Sequence, residues 1–211
     1  MKTLAAVCAG LIALPCPAAD EPAKAPPKAA AKAGAAAAKL ADKPLAEVVA
    51  QLKDQDPKVR RVAAQDLGHR GLRAASAVPA LTEALADPAP EVRTAAAEAL
   101  GGIGVTAKSA VPALLTALKD KDALVRETAA EALADIRTEP DKVIPALVAL
   151  LSDADVNVRC AAATSIGDFG TAAKAAVPDL KKALQDKHKF VREAAAEALQ
   201  AIDKATRRVD S

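Results

Sequence analysis

The sequence has no tryptophan and no tyrosine, and two phenylalanines bring aromatics to only 1% of 211 residues, although 52% are hydrophobic. Any core must therefore be closed by Ala, Leu, Val and Ile, which favours helices packed face to face on small side chains. Histidine is almost missing too. His69 and His188 lie at opposite ends of the folded region, and neither has the companion His, Cys or carboxylate that a zinc or iron site needs. No metal and no cofactor is expected. The three cysteines are Cys8, Cys16 and Cys160; none has a histidine nearby to activate it as a nucleophile. The apolar run Leu4 to Leu14 is about eleven residues, short of the roughly 20 that cross a bilayer, so no permanent transmembrane helix is expected.

That run has flanks of its own. Met1-Lys2-Thr3 carries positive charge before it, and Pro15 to Ala19 is small and turn-prone after it. These are the three regions of a secretory signal peptide, residues 1–19, with cleavage expected after Ala18 or Ala19. Export to the periplasm or cell envelope follows as the expectation. Cys8 and Cys16 would leave with the leader, and a lone Cys160 cannot staple a fold. Ala13-Leu14-Pro15 before Cys16 matches the bacterial lipoprotein pattern poorly. Residues 20–43, DEPAKAPPKAAAKAGAAAAKLADK, hold prolines and lysines but almost nothing large and apolar, the composition of a tether. Lys2 and the five tether lysines, set against Asp20, Glu21 and Asp42, contribute +3 to a net charge of +2 and leave residues 44–211 at −1. A basic surface for nucleic acid is therefore not in evidence.

What is present is repetition. Val-Arg recurs at Val59-Arg60, Val92-Arg93, Val125-Arg126, Val158-Arg159 and Val191-Arg192, a step of 33 residues without a slip. Asp54, Asp87, Asp120, Asp153 and Asp186 keep the same step, as do Leu52, Leu85, Leu118, Leu151 and Leu184. A period of this size denotes stacked supersecondary units, here five from about Pro44 onward.

The second copy shows what one unit contains. Val78, Leu81 and Leu85 form the stripe of a first helix spanning Ala77 to Asp87, with Pro79 in its first turn. A second helix starts around Pro90 and buries Val92, Ala96, Leu100 and Ile103; Gly101, Gly102 and Gly104 are expected to close it. Each copy thus predicts two antiparallel helices of about 11 to 14 residues. Asp56, Asp122 and Asp155 stand where they can cap the second helices, whereas Ala89 and His188 occupy that place in the second and fifth copies. The unvarying pairs Asp54 and Arg60, Asp87 and Arg93, Asp120 and Arg126, Asp153 and Arg159, Asp186 and Arg192 suggest a ladder of charge-assisted hydrogen bonds, within or between copies, with a structural role.

A helix followed by Asp-x-Asp-x-x-Val-Arg and then Ala-Ala-x-Ala-Leu-Gly-x-Ile-Gly, clearest from Glu91 to Gly104, resembles the HEAT repeat, in particular the short class named after phycobilisome lyases. The resemblance covers about Pro44 to Thr206 and implies an all-α, right-handed α-solenoid. The Thr-Pro-Leu-His signature of ankyrin repeats and the aromatics of tetratricopeptide repeats are absent. So are the His-Glu pairs of the metal-binding HEAT-like hydroxylase.

In HEAT proteins the second helices line the concave side, so their solvent-facing stripe is the candidate surface. It reads Lys58, Glu91, Leu124, Asn157, Phe190; Arg61, Thr94, Glu127, Cys160, Glu193; Gln65, Glu98, Glu131, Thr164, Glu197. Six glutamates against two bases would repel a phosphate backbone and suit a basic or polar peptide or protein. Exposed helix-forming glutamates are the plain structural alternative. Leu124 and Phe190 are the apolar residues on the strip and candidate anchors, with packing beneath the C-terminal cap the equal alternative for Phe190. The expectation is a monomeric, non-catalytic protein-binding scaffold of the cell envelope, with Glu98, Glu127 and Glu131 at the centre of its site. A chromophore-lyase subunit and a self-associating spacer are the alternatives.

Overall fold

Proline and glycine punctuate the array at fixed places. The computed structural model describes residues 43–209; the expected signal peptide, Cys8, Cys16 and all of the tether but Lys43 lie outside the described residues. The first helices of the five copies are α1 (Leu45–Gln51), α3 (Val78–Ala84), α5 (Val111–Ala117), α7 (Pro140–Leu150) and α9 (Val177–Ala183). The second helices are α2 (Pro57–Arg70), α4 (Pro90–Ile103), α6 (Ala123–Ile136), α8 (Val156–Asp168) and α10 (Lys189–Val209). Among the described residues there is no strand, and the chain is an all-α solenoid.

Most first helices are shorter than their stripe predicts. Val78–Ala84 has 7 residues, because the stretch before it, Gly71–Ala77, winds as a 3-10 helix; Gly104–Ala110 and Gly170–Ala176 do the same. In the third exit Arg137 replaces the glycine. The 3-10 turn is lost, Arg137 and Glu139 take left-handed conformations (φ 53° and 51°), and α7 starts directly at Pro140 with 11 residues. Copy four carries Phe169 where copies two, three and five have Ile103, Ile136 and Ile202, and α8 stops just before it.

Copies two to five fold their helices around one leucine row, and Val48 takes that place in the first copy. Leu81, Leu114, Leu147 and Leu180 recur at the repeat step and are all fully buried, each worth about 1.5–3 kcal/mol of transfer free energy. Val92, Ala96, Leu100 and Ile103 face them from α4, at 0–1% exposure. Pro90–Ala117 is apolar enough by length and composition to cross a membrane, but it comprises α4, a 3-10 turn and α5, folded into the array.

Two of the three glycines expected to stop α4 do something else. Gly101 and Gly102 lie inside the helix, and only Gly104, at φ +73°, ends it. A Cβ on Gly101 would stand 3.1 Å from the Ala132 Cα, one on Gly68 would stand 2.9 Å from the Ala99 Cα, and one on Gly167 2.8 Å from the Ala198 Cα. Successive second helices therefore touch backbone to backbone. Successive first helices hardly meet; clefts of about 600 Å³ between α3 and α5 and about 210 Å³ between α7 and α9 separate them. Close packing on one side and splay on the other bend the stack so that the second helices line its inner face.

Candidate functional site

Two polar constructions use this scaffold, one at the turns and one on the inner face. At the turns, Arg60 donates Nε and Nη2 to the Asp87 carboxylate at 2.7 and 2.8 Å. Its Nη1 donates to the carbonyls of Asp54 at 2.7 Å and Gln55 at 3.0 Å. One guanidinium thus clamps its own turn and reaches 27 residues on, into the next copy. Arg93 with Asp120, Arg126 with Asp153 and Arg159 with Asp186 repeat the arrangement. The forked geometry suits a planar guanidinium and not an ammonium. Asp54 and Arg192 stand at the two ends of the ladder.

The carboxylates respond accordingly. The Arg126 fork holds Asp153 below the usual aspartate range. For Asp87 and Asp120 burial pushes the other way but is outweighed by the arginine fork and a backbone N–H; for Asp186 the His188 N–H and then Arg159 outweigh it. Beside the staples, Asp56, Asp122 and Asp155 cap the second helices by accepting from Lys58, Leu124 and Asn157 N–H groups at 2.8–3.0 Å. Ala89 gives α4 no such cap.

On the inner face, Glu91, Glu98, Glu131, Glu193 and Glu197 are exposed, Glu127 is half-buried and Leu124 is 55% exposed. Lys189 pairs with Glu193 at 3.3 Å. One residue of the expected strip is displaced. Cys160 is 4% exposed and belongs to the packed flank of α8. Phe190 is half-buried rather than fully presented to solvent, as Arg61, Gln65, Thr94 and Asn157 also are.

The strip is also longer than its sequence reading. One helical turn beyond Glu131 and Thr164 stand Asp135 and Asp168, both solvent-facing, and they complete a chain of mutually repelling carboxylates. Partial burial in the trough, then Glu127, Asp135 and Glu98, push Glu131 up to about 7. Burial and then Asp155 raise Glu127; burial and then Asp168 raise Asp135, with Arg137 opposing. Burial also raises Asp168, again against Arg137. The acidic trough therefore runs over α4, α6 and α8. Extending the same stripe by one i+4 step would have found both aspartates. Among the described residues no cluster of His, Cys, Asp and Glu has the arrangement of a metal site.

The sequence profile of the HEAT repeats matches residues 45–134, 105–155 and 144–210. No curated protein matches the chain. Among solved structures, the complex of CpcE and CpcF of phycocyanin lyase from a Nostoc species is similar at 27% identity and TM-score 0.68, over 89% of this chain and 71% of that one. An engineered protein is similar at 27% identity and TM-score 0.60, over 85% of this chain and 93% of that one. A designed armadillo repeat protein in complex with the peptide (KR)4 reaches TM-score 0.64 at 23% identity, over 79% of this chain and 85% of that one, a likeness of fold alone.

Proposed function

The chain belongs to the HEAT-repeat family, and from that premise we propose that it is a non-catalytic scaffold which holds a basic or polar segment of a partner protein in the acidic trough of its second helices. The observation that carries this reading is the convergence of Glu98, Glu127, Glu131, Asp135 and Asp168 on one surface, where partial burial and then the neighbouring carboxylates lift Glu131 to about 7. Carboxylates held close together at a cost to their ionisation gain most from an approaching cation. The trough is built on helices locked by staples and leucines, so little order has to be gained on binding. Nucleic acid is excluded as a partner of this face by its sign.

Export through the N-terminal leader to the cell envelope is part of the proposal; sequencing the N-terminus of the mature chain from fractionated cells tests it, with cleavage after Ala18 or Ala19 expected. The trough is tested by capture from that fraction, using the mature chain and a Glu98→Lys, Glu127→Lys, Glu131→Lys variant of equal helicity. A protein retained by the first and lost from the second supports the reading. Retention of the same protein by both places the site elsewhere. The likeness to CpcE and CpcF supports one other reading, a subunit of a chromophore lyase; covalent attachment of bilin to an apoprotein in the presence of this chain would establish it instead.

A further inference from the structure

Every junction between copies is made from the same parts, and the two ends of the array hold the unused halves. At the carboxyl end Arg192 donates Nη1 to the carbonyls of Asp186 at 2.8 Å and Lys187 at 3.0 Å, as the other staple arginines do with theirs. Among the described residues no carboxylate meets its Nε or its second amino group. At the amino end the Asp54 carboxylate accepts from the Asp56 N–H at 2.8 Å, and among the described residues no arginine reaches that carboxylate. Arg192 of one chain is thus matched in register and charge to Asp54 of another. The apolar flanks match as well. Val59, Ala196 and Leu199 are only half-buried, whereas their counterparts in the inner copies, such as Val92, Ala97 and Leu100, are fully enclosed.

Two substitutions in the repeat pattern oppose that match. The contact position taken by Gly68, Gly101, Ala134 and Gly167 is Gln200 in the last copy, and Gln200 is exposed. The residue it would face, Ala99, Ala132, Ser165 or Ala198 at the inner junctions, is Asp66 in the first copy. Asp66 is held by Arg70 at 2.7 Å, and Arg70 also donates to the Lys43 carbonyl at 2.9 Å. Three of the four inner junctions leave 2.8–3.1 Å between a glycine's absent Cβ and the facing alanine Cα. A glutamine opposite an ion-paired aspartate cannot pack at that separation.

We propose that Gln200 and Asp66 are plugs that hold this chain monomeric by blocking head-to-tail addition of a second copy, and that each end face is otherwise built to receive another array of the same kind. A head-to-tail contact leaves a free face at each end, so without plugs it would propagate into filaments or rings. The proposal is independent of the trough.

The test uses the full chain carrying either Gln200→Gly or Asp66→Ala, followed by analytical ultracentrifugation. Each single variant opens one end and keeps the other plugged, so each stays monomeric alone, and an equimolar mixture forms a one-to-one dimer. Adding Arg192→Ala to the Gln200→Gly chain weakens that dimer at least tenfold, because the new junction loses its staple. Helicity by circular dichroism checks each variant; Gln200→Ala, which copies Ala134, serves if glycine loosens α10. A mixture of helical variants that stays monomeric, a dimer indifferent to Arg192→Ala, or an unaltered chain that associates as tightly as the mixture would each overturn the proposal.

Discussion

Replacing Arg126 by alanine removes one complete staple, and the ladder supplies its own control. Arg126 makes two bonds to the Asp153 carboxylate, at 2.9 and 2.7 Å, and two to the carbonyls of Asp120 and Lys121, at 2.8 and 3.3 Å. Its side chain is 15% exposed and that of Asp153 11%, so the aspartate left behind is poorly hydrated. Breaking a buried pair from one side costs about 3–5 kcal/mol. This pair is only partly buried, which points to the lower end, about 3 kcal/mol. Arg192 makes the same two carbonyl bonds, to Asp186 and Lys187, without a carboxylate across a junction. Arg192→Ala should cost about 1 kcal/mol, the net value of ordinary hydrogen bonds. The difference of about 2 kcal/mol isolates the link between copies. Urea unfolding followed by circular dichroism is the assay, since the chain has no tryptophan or tyrosine to report by fluorescence. Equal losses for the two variants would refute the view that the staple joins neighbouring copies.

The remaining predictions concern packing, caps and pH. Gly167→Ala puts a methyl 2.8 Å from the Ala198 Cα and should destabilise by about 1–3 kcal/mol as the helices are forced apart, read as a lower urea midpoint. Ala89→Asp supplies the cap that α4 lacks and should stabilise by about 1 kcal/mol; an unchanged melting temperature would count against the caps. The pKa of Glu131 is raised in the fold from the ordinary value of 4.5 to about 7, so its contribution to stability is fully present below 4.5 and is lost as pH rises through 7. Glu131→Gln should therefore stabilise the fold in alkaline buffer by on the order of 1 kcal/mol, a value reduced by solvent screening because the residue is exposed, read as a higher melting temperature, and change little in mild acid. Asp87, Asp120, Asp153 and Asp186 are depressed, so their contribution has the opposite sign: present above the ordinary aspartate value and lost as pH falls through the folded values. Acid unfolding of the unaltered chain should set in there, and Asp153→Asn should shift its onset.

Much of this architecture can be read from the chain because it is written five times. The step of Val-Arg and the leucine row carry the helix pairs, since a residue repeated in register must meet the same neighbours in every copy. Gly101 and Gly102 mislead because a glycine near a helix end has two uses, and only the neighbouring helix, 33 residues on, decides between a stop and a close approach. The 3-10 turns are hidden for a similar reason: alanine-rich stretches such as Gly104–Ala110 fit either helix type, and packing chooses. In the trough, Glu98, Glu127 and Glu131 follow from the stripe alone. Asp135 and Asp168 escape it because they sit at helix ends, where an aspartate reads as a terminus, and their coupling depends on the inward bend of the stack.

The trough itself is tested most directly by titrating a fluorescent lysine- and arginine-containing peptide into the chain and into a Glu98→Gln, Glu127→Gln, Glu131→Gln variant, at neutral pH and at two salt concentrations. The account predicts binding that weakens with salt and falls at least tenfold in the variant, with helicity unchanged. Equal affinity for both chains, or binding indifferent to salt, would contradict it.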